Sequence, residues 1–468
     1  MKSFWVVFAL QTLCIAYLVT ELYKKNKEVE SAKALEELRS AACDSDLMIH
    51  RNVSMCKHFE NPNEHNCNIA LSFAGMIDVR VKAQDLLSYL EPPEVPRYHS
   101  SIRSRQQFLE TFADCFVNGK AAEFRVPKAL FSELLKITED LSTERKIGGN
   151  AAVMALRIAQ EGCKTSISGP ISREMTQFFP KRLVALNEII DEPDIHLIIE
   201  YKENQVWGNY RAGRSNRFYA NHDIQNTNPE YLKGLKNLEN DTQVVVFGGF
   251  QLLEGSENEK EFLESIELSI AELRVQNKKV HAELGDFHNN KFYRAFQSIL
   301  SKIDSIGFNE QELGKLLSYF RKTKFRGYPA KAGVSDYLPD LISLIHYLKE
   351  HSYSTNRLHL HTISSQVICS TGEWENPLVP AARSALISGQ FACNKTDIQL
   401  GSISFEKGPV YLQNQVLVGS HEHHVTECWD VLNMECCLAL VPTCLDVISV
   451  TSLGDNISAM GLAYHRVK

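Results

Sequence analysis

From Thr242 onward the chain repeats one pattern, a short apolar strand followed by a polar turn and a helix, and this alternation constrains its fold more than any other feature. Gln243 to Phe247 is a strand closed by Gly248-Gly249, and a helix runs through about 257–275. Lys279 to Leu284 is the next strand, carrying His281 and Glu283. Ser305 to Phe308 follows, then Asn309-Glu310-Gln311-Glu312 opening a helix, then the strand Arg357 to Ile363 with alternating Leu358 and Leu360. Strand then helix throughout implies an α/β fold, a large mainly parallel sheet with helices on both faces. In such sheets ligands bind beyond the carboxyl ends of the strands. Glu283, Asn309, Glu312, Thr362 and Asp455 all fall at those ends. Two carboxylates there, Glu283 and Glu312, suit Mg²⁺, which keeps several waters and takes few protein ligands.

Asp455 sits in the stretch Val447–Leu462, where Val447, Ile448 and Val450 read as a short buried strand. A turn at Thr451 and Ser452 around Gly454 then leads to a helix expected from Asn456. A strand–turn–helix of this kind aims unpartnered N–H groups at one point and favours an anion there. Asp455 at its edge could take a proton from a substrate hydroxyl while those groups hold a transferring phosphoryl. The alternative is a carboxylate that only caps the helix.

The first half carries further candidates. Asn68 to Val81 reads as the first core strand, with Asp78 at its end placed either to accept hydrogen bonds from a sugar hydroxyl or to pair with Arg80 or Lys82. Glu123, in a break after a helical stretch near 104–118, reads by itself as a solvated charge. Gly148 and Gly149 allow a ligand to approach the backbone, and Asn150 opens a helix; a plain glycine-rich connection would look the same. Ile195 to Asn221 alternates and turns at Lys202-Glu203-Asn204, so it reads as a hairpin belonging to a separate small β-sheet, a lid over a cleft. Arg211, Arg214 and Arg217 along it suit phosphate or are simply solvated.

At 468 residues there is room for one large α/β domain and a smaller one, and a net charge of −7 leaves no basic excess for a nucleic-acid partner. Phe4 to Val19, apolar but for Gln11 and Thr12, has the length of a signal-peptide core, so 1–22 is expected to be a signal peptide, with an uncleaved anchor as the alternative. No stable membrane contact is expected unless that segment is retained. Residues 23–66 read as a polar stem, partly helical, whose charges only solvate it. Cys14 lies in the signal; the other eleven cysteines suit an oxidising compartment and leave at least one without an intrachain partner. Asn-x-Ser/Thr occurs at Asn52, Asn240, Asn394 and Asn456, the last blocked by folding. The secretory pathway is therefore expected, either the endoplasmic reticulum lumen or the exterior.

The spacing of His281-x-Glu283, Asn309-x-x-Glu312, the Arg357–Thr362 stretch and Gly454-Asp455-Asn456-Ile457-Ser458 resembles the ADP-dependent sugar kinases of the ribokinase-like superfamily, and Ser215-Asn216-Arg217-Phe218 resembles that family's Asn-Arg-Phe element. The resemblance covers about 68 to the C-terminus and gives a kinase domain over 67–468, with lid segments including about 195–221. It implies phosphoryl transfer from ADP to the 6-hydroxyl of glucose, giving glucose 6-phosphate and AMP with Mg²⁺ as cofactor, in what is taken to be a monomer. Asp455 would be the catalytic base, touching both sugar and metal, with Gly454 in the anion hole. Glu283 and Glu312 would hold Mg²⁺. Asn309, His361, Thr362 and, from the lid, Arg217 would face the nucleotide. Asp78, Glu123, Gly149, Asn150 and His196 would bind the glucose. Two positions depart from the pattern: Ser452 replaces the first Gly of Gly-x-Gly-Asp, and Ala74 replaces an Asn four residues before Asp78. Loss of that Asn removes a sugar hydrogen bond, a cost of about 1–2 kcal/mol. A phosphofructokinase of the same family, and a degraded kinase fold acting by binding, remain as alternatives. No Gly-x-x-x-x-Gly-Lys-Ser/Thr loop occurs, but the choice of ADP over ATP rests on the resemblance alone.

Overall fold

The structure, a computed structural model, describes residues 29–42, 67–254, 256–287, 290–325, 327–328, 332–393, 403–405, 410–413, 416–420, 425–444 and 453–467. The apolar segment Phe4–Val19, most of the stem, Cys14, Cys43, Cys56, Asn52, Asn394, the strand expected at Val447–Val450 and Ser452 lie outside the described residues. Two compact units are present, His65–Leu300 and Ser301–Lys468 together with the first 64 residues.

In His65–Leu300, β1 (Asn68–Phe73) is buried along its whole length because the chain there is a near-continuous apolar run. It pairs in parallel with β11 (Val244–Gly248) on one side and β5 (Lys164–Ser168) on the other. β12 (Lys279–Glu283) extends this sheet beyond β11, and β6 (Leu183–Ala185) extends it beyond β5, both in parallel. Phe73 packs edge-on against Phe250 and Phe262, with ring centroids 5.5 and 4.9 Å away. The single strand expected over Asn68–Val81 is two strands. The chain turns at Ala74-Gly75 and enters a second sheet as β2 (Met76–Lys82), so Asp78 lies within a strand of the small sheet rather than at the end of the first core strand.

That second sheet has the order β3-β10-β7-β2-β4, where β3 is Ala122–Arg125, β4 Glu144–Gly148, β7 Ile195–Tyr201 and β10 Asn216–Asn221. The hairpin expected over 195–221 is its centre, β7 antiparallel to β10, with two-residue strands β8 (Val206–Trp207) and β9 (Tyr210–Arg211) at the tip. Alternation gives the sheet two unlike faces. Tyr201 and Phe218 point one way, onto Phe108, Phe112 and Phe116 of the helix Arg105–Asn118, and Phe124 stacks on Phe218. Those three phenylalanines recur every four residues, so one helical stripe supplies the apolar layer.

In the other unit, β13 (Ser305–Phe308) and β14 (Arg357–His361) are parallel. From β14 onward the sheet is antiparallel, unlike the mainly parallel arrangement of the strand–helix pattern. Only Thr362, Ile363 and Ser364 join β14 to β15 (Ser365–Ser370), too few for a crossover. The short strands β16 (Ile403–Ser404), β17 (Val410–Gln413) and β18 (Val416–Ser420) precede β19 (Thr426–Val431) and β20 (Met434–Leu440), and β21 (Thr443–Cys444) pairs with β16. β20 lies between β15 and β19. Adjacent Cys436 and Cys437 on β20 face opposite sides and form disulfides with their register partners, Cys369 on β15 and Cys428 on β19, so one dipeptide staples three strands. Cys393–Cys444 and Cys67–Cys163 complete the pairs among the described residues, and Cys115 is a buried thiol. Of the glycosylation sequences, Asn240 is exposed in a turn and Asn456 is buried within a helix.

The stem is more than a solvated segment. Residues 29–41 form a helix that buries Ala34, Leu35 and Leu38, and Leu35 joins a cluster with Cys393, Ile403 and Cys444. Its Glu37 carboxylate accepts hydrogen bonds from the Val425 and Thr426 N–H groups at 3.0 Å each and from the Thr426 hydroxyl at 2.8 Å, satisfying donors at the start of β19. Glu37→Ala leaves those half-buried donors without this acceptor and is expected to cost about 1–3 kcal/mol in thermal or denaturant unfolding. Glu37→Gln, which still accepts, is expected to recover most of it; equal stability of all three proteins would reduce the contact to a surface accident.

Candidate active site

The polar face of the small sheet carries most of the acceptor residues expected from sequence. Asp78 on β2 is the register partner of His196 on β7, and His196 is in turn the partner of Asn221 on β10. Glu123 on β3 lies beside Tyr219. Strand pairing therefore lines up Asp78, His196, Asn221, Tyr219 and Glu123 across four strands on one face. His196 is buried and donates from Nε2 to Asp223, with carboxylate oxygens at 3.0 and 3.1 Å. Its Nδ1 is 3.5 Å from Glu123 Oε1, which also accepts from Asn221 Nδ2 at 3.1 Å. Asp223 is held from behind by Asn226 Nδ2 at 3.3 Å, and Asp194 accepts the Ile224 and Asn226 N–H groups.

The charges of this cluster are interdependent. Burial pushes the His196 pKa down, but Asp223, Glu123 and Asp78 outweigh it and raise the group to about 10. Because the folded value exceeds the unfolded one, the imidazolium contributes stability below its ordinary pKa that is lost as pH rises through about 10. Burial raises the Asp78 and Glu123 carboxyls, partly offset by His196, and raises Asp194 to about 6. At Asp223 the effect of burial is outweighed by His196, which holds the carboxyl low.

Backbone geometry explains the Gly-Gly-Asn turn. A Cβ on Gly148 would stand 1.9 Å from Asp78 Oδ1, so glycine there makes room for the carboxylate. Gly149 has φ +87° and packs on the Ala74 carbonyl, a conformation and an approach that both require glycine. Asn150 is the first residue of the helix Asn150–Gln160, and its side-chain oxygen accepts from Gln251 Nε2 at 2.8 Å. Arg217, which the resemblance gives to the nucleotide, donates from Nε to the Tyr219 hydroxyl at 2.8 Å, and its charge lowers the Asp78 pKa, so it stands on the same sheet face as the sugar-binding candidates.

Within Ser301–Lys468 the expected nucleotide residues sit at element ends. Asn309 caps the helix Glu310–Arg321 in a reciprocal capping box with Glu312: Asn309 Oδ1 accepts the Glu312 N–H and Glu312 Oε2 accepts the Asn309 N–H, both at 2.9 Å. The Thr362 hydroxyl accepts the Ser365 N–H and donates to the Ser365 carbonyl, both at 3.0 Å, so it also shapes the β14–β15 turn. His361 ends β14, and its Cε1 lies 3.2 Å from where a Gly454 Cβ would be. The last helix begins at Leu453, earlier than the expected Asn456, so Asp455 is in its first turn and is not the residue preceding it. A carboxylate at that depth is stabilised in its charged form by the helix dipole. In His65–Leu300, Glu283 is buried at the end of β12 with His281 Nε2 at 3.2 Å.

Among the described residues, one trio of metal-ligand side chains has its ligand atoms within 4.8 Å, Cys428, Glu435 and Cys437, and its two thiols are joined as a disulfide. No preformed three-carboxylate cage is present among these residues. Sequence reading missed Asp223, Asn226, Asp194, Asn221 and Tyr219. The run Asn221-His222-Asp223 at the end of a β-strand was the available signal, but nothing in its spacing says that it folds behind His196.

An α/β arrangement with a second, smaller sheet is the fold of known ADP-dependent kinase structures. The structure is similar to a crystal structure of a phosphofructokinase from Pyrococcus horikoshii OT3 with AMP, at 17% identity and TM-score 0.61 over 86% of this chain and 98% of that one. It is also similar to an ADP-dependent kinase complex with fructose-6-phosphate and ADPbetaS, at 16% identity and TM-score 0.60 over 93% of this chain and 97% of that one. Residues 67–464 match the sequence family described as ADP-specific Phosphofructokinase/Glucokinase conserved region, and the chain belongs to that family. Curated relatives are an ADP-dependent glucokinase of Bos taurus, 27% identical over 85% of this chain and 84% of that protein, and a probable ADP-dependent glucokinase of Caenorhabditis elegans, 28% identical over 70% and 68%.

The close approach at Gly148 gives a direct test. Gly148→Ala is expected to displace Asp78 and destabilise the protein by about 1–3 kcal/mol. Gly372→Ala, where a Cβ would meet nothing within 4 Å, is expected to change unfolding by no more than about 0.5 kcal/mol. Equal effects of the two in thermal unfolding would contradict the packing described for Asp78.

Proposed function

We propose that the chain is an ADP-dependent glucokinase, transferring a phosphoryl group from ADP to the 6-hydroxyl of glucose and releasing AMP. The observation that carries the acceptor is the set of hydrogen-bonding groups on the polar face. Asp78 and Glu123 flank a charged His196 backed by Asp223, with Arg80 and Arg217 acting on Asp78, a set of charged acceptors and donors suited to hydrogen bonds with sugar hydroxyls. The names of the two curated relatives support glucose, while those of the structural neighbours support fructose 6-phosphate. The relatives named as glucokinases, at 27% and 28% identity against 17% and 16% for those structures, favour glucose.

Asp455, in the first turn of its helix, takes the proton of the attacking hydroxyl late, as the phosphoryl group loosens from AMP. Gly454 lets the phosphoryl oxygens approach the helix N–H groups. Asn309, His361 and Thr362 orient the nucleotide, and Gly149 and Asn150 line the sugar. Mg²⁺, when bound, neutralises the phosphates; Glu283, Glu312 and Asp455 are the residues that would hold it. The carboxylate oxygens they offer are hard ligands of the kind Mg²⁺ takes. The four disulfides among the described residues support an oxidising compartment, and with the Phe4–Val19 segment a secretory route to the endoplasmic reticulum lumen or beyond. The proposed organisation is a signal or anchor over 1–22, a stem over 23–66 and a monomeric kinase domain over 67–468.

AMP formation by the purified protein tests the reaction. Turnover is expected with ADP and glucose, and Asp455→Asn is expected to lower kcat by about 10²–10⁴-fold with little change in the KM for ADP. Faster turnover with ATP, a preference for fructose 6-phosphate, or unchanged turnover in Asp455→Asn would each overturn a stated part. Wild-type protein that binds ADP yet phosphorylates no sugar would select the degraded-kinase reading. A pH profile tests the acceptor. Because burial raises the Asp78 carboxyl above its usual 3.8, its ionised form is lost at higher pH than for a free aspartate. The KM for glucose is therefore expected to rise on acidification, and Asp78→Asn should remove that inflection while raising KM at neutral pH. An inflection that persists in Asp78→Asn would assign it to another group.

A further inference from the structure

We infer that Asp223 is a positioning residue for the acceptor: it fixes His196 so that Nε2–H is committed to the Asp223 carboxylate and Nδ1–H is presented on the polar face, beside Glu123, as a donor to a substrate oxygen. This deepens the glucokinase reading and rests on it for the identity of the ligand. Both Asp223 oxygens lie on Nε2, at 3.1 and 3.0 Å, so the ring cannot rotate without losing a buried charge-assisted contact. Asp223 and His196 are 1% and 4% exposed, so water does not replace either partner.

Asp223 is itself immobilised from two directions. Asn226 Nδ2 donates to it at 3.3 Å, while Asn226 Oδ1 accepts the Gly75 N–H at 2.9 Å. Arg125 Nη1 donates to the Asp223 carbonyl at 2.7 Å. A chain of hydrogen bonds therefore runs from the bend between β1 and β2, through Asn226 and Asp223, to the ring of His196. The charged and titratable groups around the imidazole are Asp78 from β2, Glu123 and Arg125 from β3, Arg217 and Tyr219 from β10, and Arg80 further along β2. Three carboxylates act on the ring, and Asp223 is the one bonded to it with both oxygens. A neutral imidazole would carry one N–H and could not donate at both nitrogens; the imidazolium does. The consequence for recognition is that this site reads an acceptor lone pair on the substrate at Nδ1, and hydrogen-bond donors on the substrate at Asp78 and Glu123.

Asp223→Asn tests this, because its amide oxygen can still accept from Nε2 while the charge is gone. At pH 8 the variant is expected to raise the KM for glucose by about 10- to 100-fold, leaving kcat and the KM for ADP near wild type. Lowering the pH toward 6 should narrow the gap in KM between the variant and the wild type at the same pH as the imidazolium re-forms, a rescue that a purely structural role would not produce. Imidazole resonances of His196, assigned with His196→Gln, are expected to report a charged ring at pH 8 in the wild type and a neutral ring in Asp223→Asn. This measurement needs no turnover, so it stands even if the protein proves to phosphorylate another substrate, and its wild-type arm stands even if the variant fails to fold. A neutral His196 at pH 8 in the wild type, a wild-type KM in Asp223→Asn, or loss of glucose and ADP binding together without rescue at lower pH would overturn the assignment.

Discussion

The bend at Ala74-Gly75 is the constraint on which the unit His65–Leu300 depends. Here one continuous apolar stretch stops being the central strand of a parallel sheet and becomes an inner strand of a different one. The bend is held by backbone groups: Ala74 N–H donates to Gly248, the Ala74 carbonyl accepts from Ala152, and Gly75 N–H donates to the Asn226 side chain. Gly149 and Gly249 pack so tightly on Ala74 that a Cβ on either would lie 2.6 Å from its carbonyl oxygen or 2.2 Å from its methyl group, respectively. A larger residue at position 74 would need this packing to open. The alanine that looks like a lost sugar ligand is thus also the residue on which two glycines close, and its small size has a structural reason in this chain.

From that bend the chemistry of the small sheet follows by alternation. One face is bound to the aromatic stripe of the helix Arg105–Asn118 and is fixed in place; the other is left to polar side chains. Placing Asp78, Glu123 and Asp223 around one histidine is costly unless the ring carries a charge, and it does so well above neutral pH. The same arrangement that stabilises the imidazolium sets out the donors and acceptors that this face offers to a ligand's hydroxyls. Stability and specificity here draw on the same few groups.

Much of this was legible in the chain. The strand–helix alternation after Thr242 gave the strands β11 to β14, and the alternation in 195–221 gave the central hairpin of the second sheet, because both patterns are local. The antiparallel turn after β14 was not legible, since a three-residue connection looks like the end of a strand until its partner is known. Glu37 looked like one charge among many in a polar stem, yet it finds two backbone donors almost 390 residues away in sequence. Asp223 was invisible for a related reason: its meaning comes from a histidine on a neighbouring strand. The carboxylates of Glu312 and Asp455 were legible as helix-start residues, and the capping box of Glu312 shows that such residues can serve the backbone as well as a ligand.

Calorimetric titration of the nucleotide-free protein with glucose and, separately, with fructose 6-phosphate tests the central claim most directly, that the polar face of the small sheet is built for a neutral sugar. The glucokinase reading predicts one saturable glucose site, weakened by acidification, and weaker binding of fructose 6-phosphate under the same conditions. Tighter binding of fructose 6-phosphate than of glucose would contradict it.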